Sequence, residues 1–132
     1  MNGAFLDTVG RIAVWDTSDQ WHAPASAAFN ELLRARAPLW TTEYVLLECG
    51  NAAARRPYRS RVGAIRHHLM TANLLVNPTS DELAEAWENY DRGSANQAGI
   101  VDHVSFVVMR RLGLTRAFTN DHHFRAAGFE TC

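Results

Sequence analysis

The chain has 132 residues, 47% of them hydrophobic, and a formal net charge of −1 with histidine neutral. That size suits a single domain over residues 1–132 with a core of its own and no linker. Two scattered cysteines, Cys49 and Cys132, exclude a disulfide framework, and no stretch reaches the roughly 18 apolar residues of a membrane span, so a cytoplasmic protein with no membrane partner is expected.

Short apolar runs alternate with longer segments of helical periodicity along the chain. That alternation predicts an α/β protein whose parallel strands are joined by crossover helices. Ala4 to Leu6 read as the first strand, Leu39 to Thr41 as the second, Leu74 to Val76 as the third and Ala117 to Thr119 as the fourth. Gly128 to Thr131 read as a short fifth. Between them, helical spacing covers Ala23 to Ala37, Thr42 to Arg55, Tyr58 to Ala72, Asp81 to Asp91 and Ile100 to Leu112. Thr79 or Ser80 can cap the helix that opens with Asp81 and Glu82, while Pro57 and Gly113 act as helix breakers. RGSANQA, from Arg92 to Ala98, is the most loop-like stretch and leads into GIVDHVSFVVM. Asp102 therefore falls in the first turn of a helix, where exposed N–H groups and the helix dipole favour a carboxylate.

Ligands of an open parallel sheet collect beyond the carboxyl ends of its strands. Asp7 follows the first strand directly, and Asp121 comes two residues after Thr119, so both reach that edge; either alone also fits a turn former or helix cap. In TTEYVLLECGNAAAR, Glu43 and Glu48 point about 140° apart around the helix axis, so only one can face the site. Glu43, in the first turn, reads as a capping acid. Glu48, flanked by apolar residues, reads as a side chain at the margin of the buried face that needs a partner. Asp7, Glu48, Asp102 and Asp121 are then expected to converge from four separate elements. Four crowded carboxylates repel one another, and a hard divalent ion, Mg²⁺ or Mn²⁺, removes the conflict. Such an ion can activate water for attack on a phosphodiester.

All 13 basic residues are arginine, and five of them, Arg55, Arg56, Arg59, Arg61 and Arg66, lie in RRPYRSRVGAIR. Guanidinium groups pair well with phosphate, although a solvated helix face is the plainer account of such a run. Trp15, Trp21, Trp40 and Trp87 could stack bases, but core or dimer packing is the plainer expectation.

FLDT near the start, E-x-x-N at Glu48 and Asn51, D-x-x-S-F from Asp102 to Phe106, and FTNDHHFRAAGF follow one another over nearly the whole chain. In these blocks the sequence resembles the PIN-domain ribonucleases and, within them, the VapC-like toxins of bacterial toxin-antitoxin modules. The resemblance implies a three-layer α/β/α sandwich around a mostly parallel four- to five-stranded sheet. It also implies Mg²⁺- or Mn²⁺-dependent endonuclease activity on RNA, frequent homodimers and a cognate antitoxin protein. Asp7, Glu48, Asp102 and Asp121 match the family's metal-binding, catalytic acids, and Thr8, Asn51 and Thr119 match small polar residues that support them. Two positions depart from the pattern. Val9 and Gly10 replace a small polar residue and an alanine, and Gly99 stands where a serine often precedes the helix acid, with Ser94 or Asn96 as substitutes for the lost cap.

Other readings stay open at this level. A non-toxin PIN nuclease of RNA processing, or a PIN-like module that binds RNA or protein without cleaving, would share these blocks. A zinc site on His67, His68, His122 and His123 is disfavoured because adjacent helical histidines diverge by about 100°. A phosphatase with Asp7 as nucleophile wants an acid two residues on, where Val9 stands.

Overall fold

A computed structural model describes residues 3–132. In chain order the elements are β1 (Ala4–Leu6), α1 (Thr8–Trp15), α2 (His22–Arg34), β2 (Leu39–Trp40), α3 (Glu43–Ala53) and α4 (Arg59–Thr71). They continue with α5 (Ser80–Asp91), α6 (Ser94–Gln97), α7 (Ile100–Leu112), β3 (Arg116–Phe118), α8 (His122–Ala126) and β4 (Glu130–Thr131). The four strands form one sheet in the order β2-β1-β3-β4. Every pairing is parallel, with Ala4 opposite Leu39, Phe5 opposite Ala117, and Arg116 opposite Glu130.

Alternation along the strands sorts side chains to the two faces. Phe5 and Ala117 pack with Val45, Cys49, Phe106, Met109 and Phe124, from α3, α7 and α8. Their strand neighbours Ala4, Leu6 and Phe118 pack on the opposite face with Leu32 and Phe29 of α2. Helices thus cover both sheet faces, giving the three α/β/α layers, and the central strand β1, buried on both sides, is short and wholly apolar. A satellite cluster of Ala86, Val104 and Val107, with Tyr44 against it, joins α5 to α7 and α3.

Local chemistry sets the helix ends. Thr42 Oγ1 accepts from the Val45 N–H to start α3, and Thr79 and Glu82 form a reciprocal capping box at the start of α5. Gly113 ends α7 in the left-handed region at φ 69°, a conformation that costs a side chain and suits glycine.

Several expectations need correction. Leu74 to Val76 do not form a strand: only Thr41 and Leu75 bridge in parallel. The Leu74 carbonyl and the Val76 N–H bond the two sides of Thr41, and Asn77-Pro78 then leads the chain away before a ladder can grow. Glu43 does not cap α3; Thr42 does, and Glu43 pairs with Arg66 at 2.7 Å. RGSANQA contains the short α6 turn, left-handed at Ala95 and Asn96. Gly99, the N-cap of α7, offers no side-chain cap. Helices α1 and α8 were not anticipated, being eight and five residues long, too short for periodicity to declare them. Of the tryptophans, Trp15 is buried whereas Trp21 and Trp87 are exposed.

Candidate metal centre

Strand order reverses between β1 and β3: the chain leaves β1 toward β2 on one side, and β3 and β4 lie on the other. Residues following β1 and β3 therefore meet at the crevice between them. Asp7 follows β1 and is only 2% exposed. Its carboxylate accepts the Thr119 hydroxyl at 2.8 Å, and Thr119 Oγ1 in turn accepts the Asp121 N–H at 3.0 Å. One threonine just beyond β3 thus ties two acids from opposite ends of the sequence. Asp121 caps α8 by accepting the His123 N–H at 2.9 Å. Asp102 arrives from the first turn of α7.

One carboxylate oxygen from each of Asp7, Asp102 and Asp121 lies within 4.8 Å of the others. At that separation two negative charges repel by about 3.5 kcal/mol for an effective dielectric near 20. Burial first, and the charges of Asp7, Asp121 and Glu48 after it, push the Asp102 carboxyl up to about 7. Asp7 is pushed up to about 6, again chiefly by burial, against the lowering effect of the Thr119 hydroxyl and the Thr8 N–H. Three oxygen donors that cannot comfortably ionise together suit a hard divalent cation, which would let all three carry charge at neutral pH.

Glu48 stands apart from that triad, exposed on α3. It lines the same open cleft of about 610 Å³, together with Asp7, Thr8, Val9, Asn51, Ala52, Asp102 and Asp121. The partner it needs is Thr8, whose hydroxyl donates to Glu48 Oε1 at 2.8 Å. Asn51 is exposed at the rim one turn from Glu48. All seven residues singled out in the sequence therefore lie in or directly against this cleft.

Two histidines, disfavoured above as zinc ligands, lie beside the acids. His123 Nδ1 lies 2.7 Å from Asp121 Oδ1, close enough for the ring to bear on the charge of the cleft. His122 stacks on His123 with ring centroids 4.1 Å apart, so the two rings do not diverge as neighbours on an ideal helix would. Asp121, His122 and His123 form a second group of potential metal ligands sharing Asp121. The NDHH run held the signal, but histidine pairs are common on surfaces.

Gly10 sets how closely α1 approaches this crevice. A Cβ there would sit 2.3 Å from the Phe118 carbonyl oxygen, a backbone atom that cannot yield. The departure from alanine at this position thus has a cause in packing: α1 presses directly onto β3.

A parallel α/β sandwich with acids converging at the switch point defines a class of metal-centred domain, and the PIN domain profile matches residues 4–130. The chain belongs to the PIN domain family. It is 32% identical over 127 residues to the 23S rRNA-specific endonuclease VapC20 of Mycobacterium tuberculosis strain H37Rv, covering 95% of this chain and 94% of that protein. The same figures hold for VapC20 of strain CDC 1551 / Oshkosh. The crystal structure of M. tuberculosis VapC20, described as a Sarcin-Ricin loop cleaving toxin, is similar with a TM-score of 0.76 and 28% identity over 96% of each chain.

Proposed function

We propose that this protein is a divalent-metal-dependent endoribonuclease and the toxin of a toxin-antitoxin pair. The observation that carries the reading is the meeting of Asp7, Asp102 and Asp121 oxygens within 4.8 Å at the sheet's switch point, in a chain of the PIN family. These three side chains would hold Mg²⁺ or Mn²⁺, with Glu48 completing the acidic wall. When bound, the ion would acidify a water and offset the charge that builds on the phosphate. Thr119 holds Asp7 and the Asp121 backbone in register. Thr8 orients Glu48 through Oε1, leaving Oε2 to accept a proton from water in the cleft.

The likeness to VapC20 makes ribosomal RNA the first substrate to test and an antitoxin protein the expected partner. No helix among the described residues is long and apolar enough to cross a membrane, which agrees with action in the cytoplasm, where ribosomes are. A homodimer is read from large apolar side chains left in water, Leu47 at 58% and Trp87 at 51% exposed. The deciding assay incubates pure protein with 23S rRNA and Mg²⁺, Mn²⁺ or a chelator, beside Asp7→Asn. Cleavage that needs the metal and Asp7 is the expected result; cleavage that survives both chelation and the substitution would refute the reading.

A further inference from the structure

The arginine-rich stretch finds a role in a second cavity. Helices α1 and α3 lie side by side in the same direction: Thr8 meets Glu48 at one end, and Asp16 meets Arg56 at 2.8 Å at the other. Along α1 and its C-cap the two contacts are eight positions apart, from Thr8 to Asp16, about 12 Å at 1.5 Å per helical residue, while Arg56 lies in the turn that follows α3. At the far end opens a cavity of about 390 Å³ lined by Trp15, Thr17, Ser18, Arg56, Tyr58 and Arg61, with Asp16 on its wall.

Its charges do not balance. Asp16 is occupied, accepting from Arg56 and from the Ser18 N–H and hydroxyl. Arg61 has no acidic partner among the described residues. Behind the cavity wall lies Arg11, only 7% exposed, whose Nε and Nη1 have no hydrogen-bond partner. Its guanidinium sits 4.6 Å from the rings of both Trp15 and Phe29. Among the described residues no acid pairs with it, and it is close enough to Arg61 for the two cations to repel. A buried cation held only by ring faces adds positive potential to the cavity in front of it. Arg59 and Arg66 are already engaged, with the Ala54 carbonyl and Glu43.

We propose that this cavity binds a backbone phosphate of the RNA strand whose scissile bond lies in the acidic cleft, with Arg61 as its main cation. The Arg56 N–H groups not used on Asp16 and the Thr17 hydroxyl supply further donors, and Trp15 and Tyr58, stacked at 6.0 Å, form an aromatic wall. The groove between α1 and α3 then sets the strand's direction across the acids, at a reach of a few nucleotides. The inference rests on the ribonuclease reading but has its own test.

Affinity of a labelled single-stranded 12-mer RNA is measured by anisotropy in chelator, where nothing is cut, at several salt concentrations. Loss of one phosphate contact in Arg61→Ala flattens the log-log salt slope by about 0.7 and weakens binding about fourfold at 0.15 M salt. Arg61→Glu weakens it further, and Arg61→Lys restores most of it. Arg34→Glu makes the same charge change on α2 and changes affinity less than twofold; unfolding midpoints confirm that each variant is folded. If Arg61→Glu keeps wild-type affinity and slope, or Arg34→Glu weakens binding as much, the site is refuted. Should the wild type bind RNA yet cleave none with either metal, the ribonuclease reading fails while this site stands.

Discussion

Replacing Asp102 by asparagine separates the chemistry of the cleft from its architecture. Asp102 starts from an ordinary carboxyl value of 3.8 and is held near 7, first by burial and then by Asp7, Asp121 and Glu48. Because the folded value is the higher one, the folded protein holds a proton that the unfolded chain releases between about pH 4 and 7. Metal-free stability therefore falls as pH rises through that window. Three units correspond to about 4 kcal/mol, and water at the open cleft mouth screens this to about 2 kcal/mol. Asparagine cannot ionise, so in chelator at pH 8 the variant should be more stable than wild type by about 2 kcal/mol. Near pH 4 the two should agree apart from the side-chain exchange. Urea unfolding at both pH values, with RNA cleavage measured alongside, checks this. A variant that loses cleavage and gains stability at pH 8 fits a carboxylate kept for its ion. A variant less stable than wild type at pH 8 would refute the electrostatic account and leave Asp102 as a structural residue of the first helical turn.

Further outcomes follow from neighbouring contacts. Metal affinity should rise steeply between about pH 5 and 8, since Asp7 near 6 and Asp102 near 7 must give up protons for the ion; calorimetry in buffers of different ionisation enthalpy will show proton release at pH 6 that fades by pH 8. Gly10→Ala should cost about 1–3 kcal/mol in urea unfolding and reduce cleavage, because the new methyl meets the Phe118 carbonyl and pushes α1 off β3. Gly99→Ser should add a few tenths of a kcal/mol, read as a rise in unfolding midpoint, since the N-cap of α7 has extended backbone, no side-chain cap and open space around it.

The strands Ala4–Leu6 and Arg116–Phe118 and the helix Ile100–Leu112 were legible because their patterns are local: an apolar run between breakers, a periodic face, a glycine stop. Asp7 and Asp121 were legible for a related reason, since a parallel sheet delivers strand-ending residues to one edge wherever its strands lie. What no local pattern carries is distance. That Asp7, Asp102 and Asp121 form the close triad while Glu48 stands at the rim with Thr8 depends on how α3 and α7 pack against the sheet. The same holds for Leu74 to Val76, apolar enough for a strand but given only one bridging partner, and for Glu43, which turned from its helix end to Arg66. Arg11 shows the limit most plainly: in sequence it is one arginine among 13, and only the closing of Trp15 and Phe29 around it makes it a buried, unpaired charge. Periodicity and residue chemistry act within a few turns of chain and survive in the sequence, whereas fields and desolvation arise between segments far apart along it and exist only once the chain has folded.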